Sequence, residues 1–198
     1  ELLPTSHDNQ ITACDIRNAM DALVCDSTTL VLSHSTVHNS RGHGVLAHDS
    51  ELIIDYCQLT NSLGDCLAVH GGAAAVSHST LAQFYPFTAS RGAALRFTNS
   101  LSSLYFQCDA TLVTGYDADV VMGEQLDSLH GFDYRFTDCI LRTDSVTDAE
   151  RFLQILWETP KDSVQGTSHF VNIDEDNLYY DFRIDSISPA FERQIGYY

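Results

Sequence analysis

Two glycine-flanked positions carry the residue types most able to do chemistry. Gly42-His43-Gly44 holds an imidazole between two residues without side chains. Gly64-Asp65-Cys66-Leu67-Ala68-Val69 puts a carboxylate directly after the next such glycine. A histidine beside a carboxylate is a workable acid–base pair, and Arg41 lies next to the first glycine turn. His48 and His70 are separated by the same interval as Gly42 and Gly64. Facing one another, they would share one metal ion with a third ligand. His34, Tyr56 and His78 step by that interval again. They would form an outward stripe able to stack on sugars, because aromatic rings combine apolar faces with polar edges.

These pairings have meaning only if the fold brings residues one such interval apart into register, and the sequence is built to do so. Leu30-Val31-Leu32 is followed by Leu52-Ile53-Ile54, Val37 by Leu59, and Val45 by Leu67. Ser33-His34-Ser35-Thr36 returns as Ser77-His78-Ser79-Thr80 at twice the interval. Ile16 and Asn18 precede Val37 and Asn39 by nearly the same step. A period of about 21–22 residues suits a leucine-rich repeat or a parallel β-helix. Each unit here holds two or three short, β-branched, alternating runs separated by Asn, Ser and Gly, which favours stacked layers of short strands. Layers would lie about 4.8 Å apart. Leu32, Ile54 and Val76 would make one interior stack, and Val37, Leu59 and Leu81 another. The stretch between Phe84 and Ser90 reads as an insertion.

Asn18, Asn39, Asn61 and Gln83 share one repeat position. Stacked amides there are expected to hydrogen-bond along the axis. Gly42 and Gly64 are expected to mark the next bend with positive φ.

On these residues the chain resembles the right-handed parallel β-helix superfamily, the pectin-lyase-like fold. The resemblance covers residues 11–143 best, and handedness is implied by it alone. Asp181-Phe182-Arg183-Ile184-Asp185-Ser186-Ile187-Ser188-Pro189-Ala190 is similar to the closing stretch of many bacterial surface β-helix proteins. The G-H-G and D-C-L-A-V stretches resemble parts of the polygalacturonase site. Their order is reversed here, and one aspartate stands where inverting hydrolysis needs two carboxylates. A lyase of this superfamily would use Ca²⁺ and a basic residue such as Arg41. Oxygen ligands could hold the ion, but no D-x-D pattern nominates a site. Asp174-Glu175-Asp176 reads as a solvated turn, and no cofactor is expected.

One domain spans 1–198, with layers over 11–143 and a C-terminal cap with last strands over 144–198. Strands are expected at 95–99, 104–108, 134–141 and 169–173. Asp117 to His130 is expected to be an excursion between layers. Val146, Ala149, Leu153 and Leu156 could line a short helix capped by Thr147. The cap is expected because an open solenoid end exposes core and strand edges. Glu1 in place of Met predicts a mature form or a piece of a longer chain.

The composition excludes several classes. The chain has 198 residues and a net charge of −17, and Lys161 is its only lysine. A nucleic-acid binder needs a positive footprint, and no run of apolar residues is long enough to span a membrane. Six cysteines without a C-x-x-C pair read as buried, small hydrophobes rather than a zinc centre. The expected function is contact with a carbohydrate polymer, outside the cell, at a bacterial surface or in the periplasm, as a secreted protein or lipoprotein. The competing classes are a polysaccharide lyase or glycoside hydrolase, and a structural or adhesion spacer.

Overall fold

The chain changes direction on single residues in the left-handed region. In the computed structural model, which describes residues 1–100, 102–159 and 166–197, φ is +50° at His34, +57° at Asn39 and +46° at Asp49. Tyr56 (+49°), Asn61 (+52°) and Gly71 (+72°) repeat those three corners in the following layer. Asn and Asp tolerate this region better than other side chains. Between corners run the strands Thr29–Ser33, Thr36–His38 and Val45–Asp55, the last bending at Asp49.

Each strand pairs in parallel with its counterpart in the next layer. Leu32 pairs with Ile54, and Ile54 with Val76. Val37 pairs with Leu59, and Leu59 with Leu81. All six are buried, so both expected interior stacks exist. The columns continue through Cys108 to Phe136 and through Val113 to Leu141. The result is nearly all-β, with two long parallel sheets consistent with a solenoid. The expected insertion is real: Val45 pairs with Leu67 at the regular step, but Leu67 then pairs with Leu95, a longer one.

A small donor follows the corner at His34 and its equivalents. Ser35 Oγ donates to the Ser33 carbonyl (2.8 Å) and accepts from the Cys14 N–H (3.1 Å). Ser79 Oγ donates to the Ser77 carbonyl (2.6 Å) and accepts from the Cys57 N–H (3.0 Å). Cys57 and Cys139 occupy the same place, their thiols reaching the Asp55 (3.3 Å) and Thr137 (3.2 Å) carbonyls. These bonds satisfy backbone groups that a sharp corner leaves unpaired. All six cysteines are free thiols, and all but Cys14 are buried.

The glycines serve a different purpose from the one expected. Gly42 and Gly64 are not among the positive-φ residues; the asparagines turn that corner instead. A Cβ on Gly64 would lie 3.0 Å from the backbone of Gly42, and one on Gly92 would lie 2.4 Å from that of Gly64. These positions are glycine because consecutive layers touch there through their backbones. The amide ladder is also different. Among the described residues no side-chain hydrogen bond joins Asn18, Asn39 and Asn61. Asn61 Oδ1 instead accepts from the Phe84 N–H (3.1 Å), and Gln83 Nε2 donates to the Ser62 and Gly64 carbonyls (both 2.9 Å).

Two expected elements change. Within Asp117 to His130, Val121–Gln125 is a strand, paired in parallel with Leu95–Asn99. The residues read as a helix around 146–156 form no helix. Phe152–Leu153 and Leu156–Trp157 are strands flanking a corner at Gln154 (φ +57°), and they extend the two sheets. The short C-terminal helix is Pro189–Arg193, capped by Ser188 Oγ accepting from the Ala190 N–H.

That helix and the antiparallel hairpin Phe170–Asp174 with Tyr179–Ile184 form a strap along the outer side of the second sheet. Gln58 Nε2 donates to the Phe182 carbonyl (3.1 Å), and the Gly196 N–H to the Ala110 carbonyl (2.9 Å). Phe170, Phe182, Ile184 and Ala190 pack on Ala82, Phe84, Leu112 and Ile140. This second core explains why Thr80–Gln83 and Leu112–Gly115 are buried at every residue. Glu158 and His169 form a buried hydrogen bond beneath the strap, and His169 Nδ1 lies 2.7 Å from Ser188 Oγ.

Two substitutions test the corner and layer geometry in opposite directions. Ala13 is an exposed alanine at a corner, with φ +55°. Ala13→Gly should stabilise the protein by roughly 0.5–1 kcal/mol, since a left-handed non-glycine residue costs about 1–2 kcal/mol and the added chain entropy is smaller. Gly92→Ala should destabilise it by about 1–3 kcal/mol through layer-to-layer clash. Urea unfolding of both variants checks the pair.

Candidate functional site

His43 and Asp65 do come together. His43 Nε2 lies 3.8 Å from Asp65 Oδ2, and its Nδ1 lies 3.1 Å from Asp21 Oδ1. Asp21 precedes His43 by one period, so the repeat itself could have nominated it. The His43 N–H also donates to Asp21 (2.7 Å), and this bond holds the Asp21 carboxyl below its usual range.

Asp65 is already fully engaged. Its Oδ1 accepts from the Ala93 N–H (2.7 Å), and both oxygens accept from Arg96, at 2.8 and 3.2 Å. The carboxylate is buried, and its hydrogen bond raises the Arg96 guanidinium further above its ordinary range. A bidentate pair of this kind fixes geometry. It ties the layer after the insertion back to the layer before it. The period alone does not place Arg96 beside Asp65, because the insertion moves it off the regular step. Arg41 is exposed, and among the described residues its guanidinium makes no hydrogen bond to His43 or Asp65. Burial pushes the neighbouring Cys66 thiol up to about 12, so it is no ready nucleophile.

His48 and His70 stack with ring centroids 5.1 Å apart. His70 Nδ1 lies 2.8 Å from Thr98 Oγ1. Among the described residues no group of three His, Cys, Asp or Glu side chains is arranged to hold a metal ion.

His34, Tyr56 and His78 form a column of corner residues. Their centroids are 5.2 and 4.7 Å apart, with planes tilted by 19° and 8°. The rings cover one another's faces, so what they turn outward is a row of polar edges. That row can hydrogen-bond to hydroxyls, while stacking on a sugar is left to the two ends of the column. Tyr56 and His78 line a cleft of about 380 Å³ with Phe191 of the C-terminal helix and Gln194 just after it, where the Phe191 ring is exposed.

Beside the column runs a shallow trough on the outer face of the first sheet. Ala73 and Ala75 form its floor, Ile53 one wall, and Tyr105 and Gln107 the other. It continues past Ser77 to Asp109 and Arg135. The small alanines sit one strand from bulkier side chains on both sides, and that difference in height creates the trough. The acidic run Asp174-Glu175-Asp176 lies where a solvated turn was expected, at the exposed end of the strap hairpin.

Neither a protein-family model nor a curated protein nor a solved structure matches this sequence.

Burial, followed by the charge of His48, lowers the pKa of His70 below 6.5. The native state thus binds a proton at His70 less readily than the unfolded chain does. As the pH falls through 6.5, the unfolded chain takes up this proton first, so the histidine withdraws stability below pH 6.5 and not above it. An NMR titration should place the His70 midpoint below 6.5, and His48→Ala should move it upward.

Proposed function

We propose that this chain is a right-handed parallel β-helix of the pectin-lyase-like kind, with layers of about 21–22 residues in its regular part. It works outside the cell or at a bacterial surface, and it holds a carbohydrate polymer without transforming it. The observation that carries this reading is the row of polar ring edges from His34 through Tyr56 to His78, opening into a cleft with an exposed aromatic ring. Hydroxyl-rich chains are recognised by such repeated donors and acceptors beside an apolar surface. The long trough next to it supports an extended ligand. Its charged lining is Glu51 and Asp109 against the single cation Arg135, an acidic balance that disfavours a polyuronate and favours a neutral glycan.

A lyase or hydrolase would need a carboxylate or base free to exchange protons near substrate. Asp65 is tied to Arg96 and Ala93, which supports the binding reading over the catalytic one. The spacer reading needs no glycan contact at all.

Calorimetry against a panel of neutral and acidic oligosaccharides should find binding to a neutral member. Tyr56→Ala should weaken it about tenfold, the size expected for a contact worth about 1.4 kcal/mol. Absence of binding across the whole panel would leave the spacer. Release of reducing ends or of an unsaturated uronate by the wild-type chain would establish the enzyme.

A further inference from the structure

The corner asparagines line a second groove, at the other end of the short second-sheet strands from the ring column. Asn18, Asn39 and Asn61 form its floor, at φ +59°, +57° and +52°. The insertion supplies one wall through Tyr85 and Phe87, and the tip of the strap hairpin supplies the other through Leu178 and Tyr180. This part encloses about 320 Å³. It shares Asn39, Asn61, Leu178 and Tyr180 with an adjoining space of about 350 Å³ that adds Tyr179, Gln58 and Thr60. The two make one continuous groove.

Three features single it out. The first is the amides. Asn18 and Asn39 are both exposed, and among the described residues their side chains make no hydrogen bond, so each offers a free donor and a free acceptor. Parallel layers repeat at about 4.8 Å, which spaces these offers evenly along the axis. The second is the rings. Phe87 and Tyr179 are 70% and 54% exposed, and Phe87 meets Tyr85 in a T-shaped contact at 5.4 Å rather than in a stack. Unlike the rings of the His34 column, they are not stacked on one another. The third is charge. Asp15, the carboxylate at the far end, is bound by His38 at 2.9 Å and by Arg17.

The geometry points to a binding site for a neutral polysaccharide chain in this groove, with sugar rings on Phe87 and Tyr179 and hydroxyls on the amides of Asn18 and Asn39. A polyanion finds no unpaired cation among its lining residues. Along the floor, Thr36–His38 and Gln58–Thr60 are paired in parallel on both sides, which leaves a peptide strand only the edges of Asp15–Arg17 and Tyr179–Ile184 to add to. The site is independent of the ring column.

Asn39→Gly isolates the amide without disturbing the corner, since glycine adopts φ +57° freely. The full chain would be titrated by NMR with neutral hexasaccharides of glucose, xylose and mannose, and with a hexagalacturonate. Side-chain NH₂ signals of Asn18 and Asn39 should shift with at least one neutral sugar. Asn39→Gly and Phe87→Ala, each checked for native circular dichroism, should weaken that binding about tenfold or more, an energy of about 1.4 kcal/mol. Tyr56→Ala should leave these shifts in place. The proposal is overturned if no neutral sugar moves the amide signals at millimolar concentration. It is also overturned if the galacturonate binds as well as they do, or if the shifts survive in both groove variants. Loss of binding at the ring column alone would sink the earlier reading and not this one.

Discussion

A parallel stack of layers closes only if the backbone can turn sharply at the same place in every layer. Here the turn is one left-handed residue, and at one corner it is followed by a small donor that bonds back to the carbonyl two positions earlier. Ser35, Cys57, Ser79, Thr111 and Cys139 all do this in successive layers. The arrangement explains why cysteines alternate with Ser and Thr in that column. A thiol fills the same volume as a small apolar group and still donates weakly. It also sets which side chains point outward, because the corner residue itself is free to project. His34, Tyr56 and His78 are corner residues, and so are Asn18, Asn39 and Asn61.

The interior of this fold was readable because stacking locks side-chain type to the period. Leu32, Ile54 and Val76 could be placed on one another from spacing alone, and so could His48 and His70. What spacing could not show was backbone conformation. Asn and Gly both suit left-handed φ, and the asparagines took that role while the glycines answered a need for closeness between layers. The helix expected around residue 150 failed for a related reason. Apolar residues three and four apart also arise when two very short strands flank a single-residue corner, as Leu153, Gln154 and Leu156 do. The strap was visible as strands and a closing motif. That it lies along the second sheet was hidden, because its partners, such as Gln58 and Phe182, are far apart in sequence.

The candidate site was half legible. The period brought His43 to Asp65 correctly and could have added Asp21. Arg96 was hidden behind the insertion, and its two hydrogen bonds to Asp65 fasten one layer to the next. The ring column was foreseen as a column, but its physical consequence was not. Rings stacked one strand apart present edges. Exposed aromatic side chains lie instead at Phe87 and Tyr179, on parts of the chain outside the regular repeat. The regular layers thus provide evenly spaced polar groups, and the irregular segments provide exposed apolar rings beside them.

The claim beneath all of this is that residues one period apart lie directly above one another in parallel. Methyl NOE spectroscopy tests it most directly. Cross-peaks should join Leu32 to Ile54 and Ile54 to Val76, each pair one layer apart at about 4.8 Å, with none between Leu32 and Val76 at twice that distance. Cross-peaks confined to residues near in sequence, or a pattern running in the opposite strand direction, would contradict it.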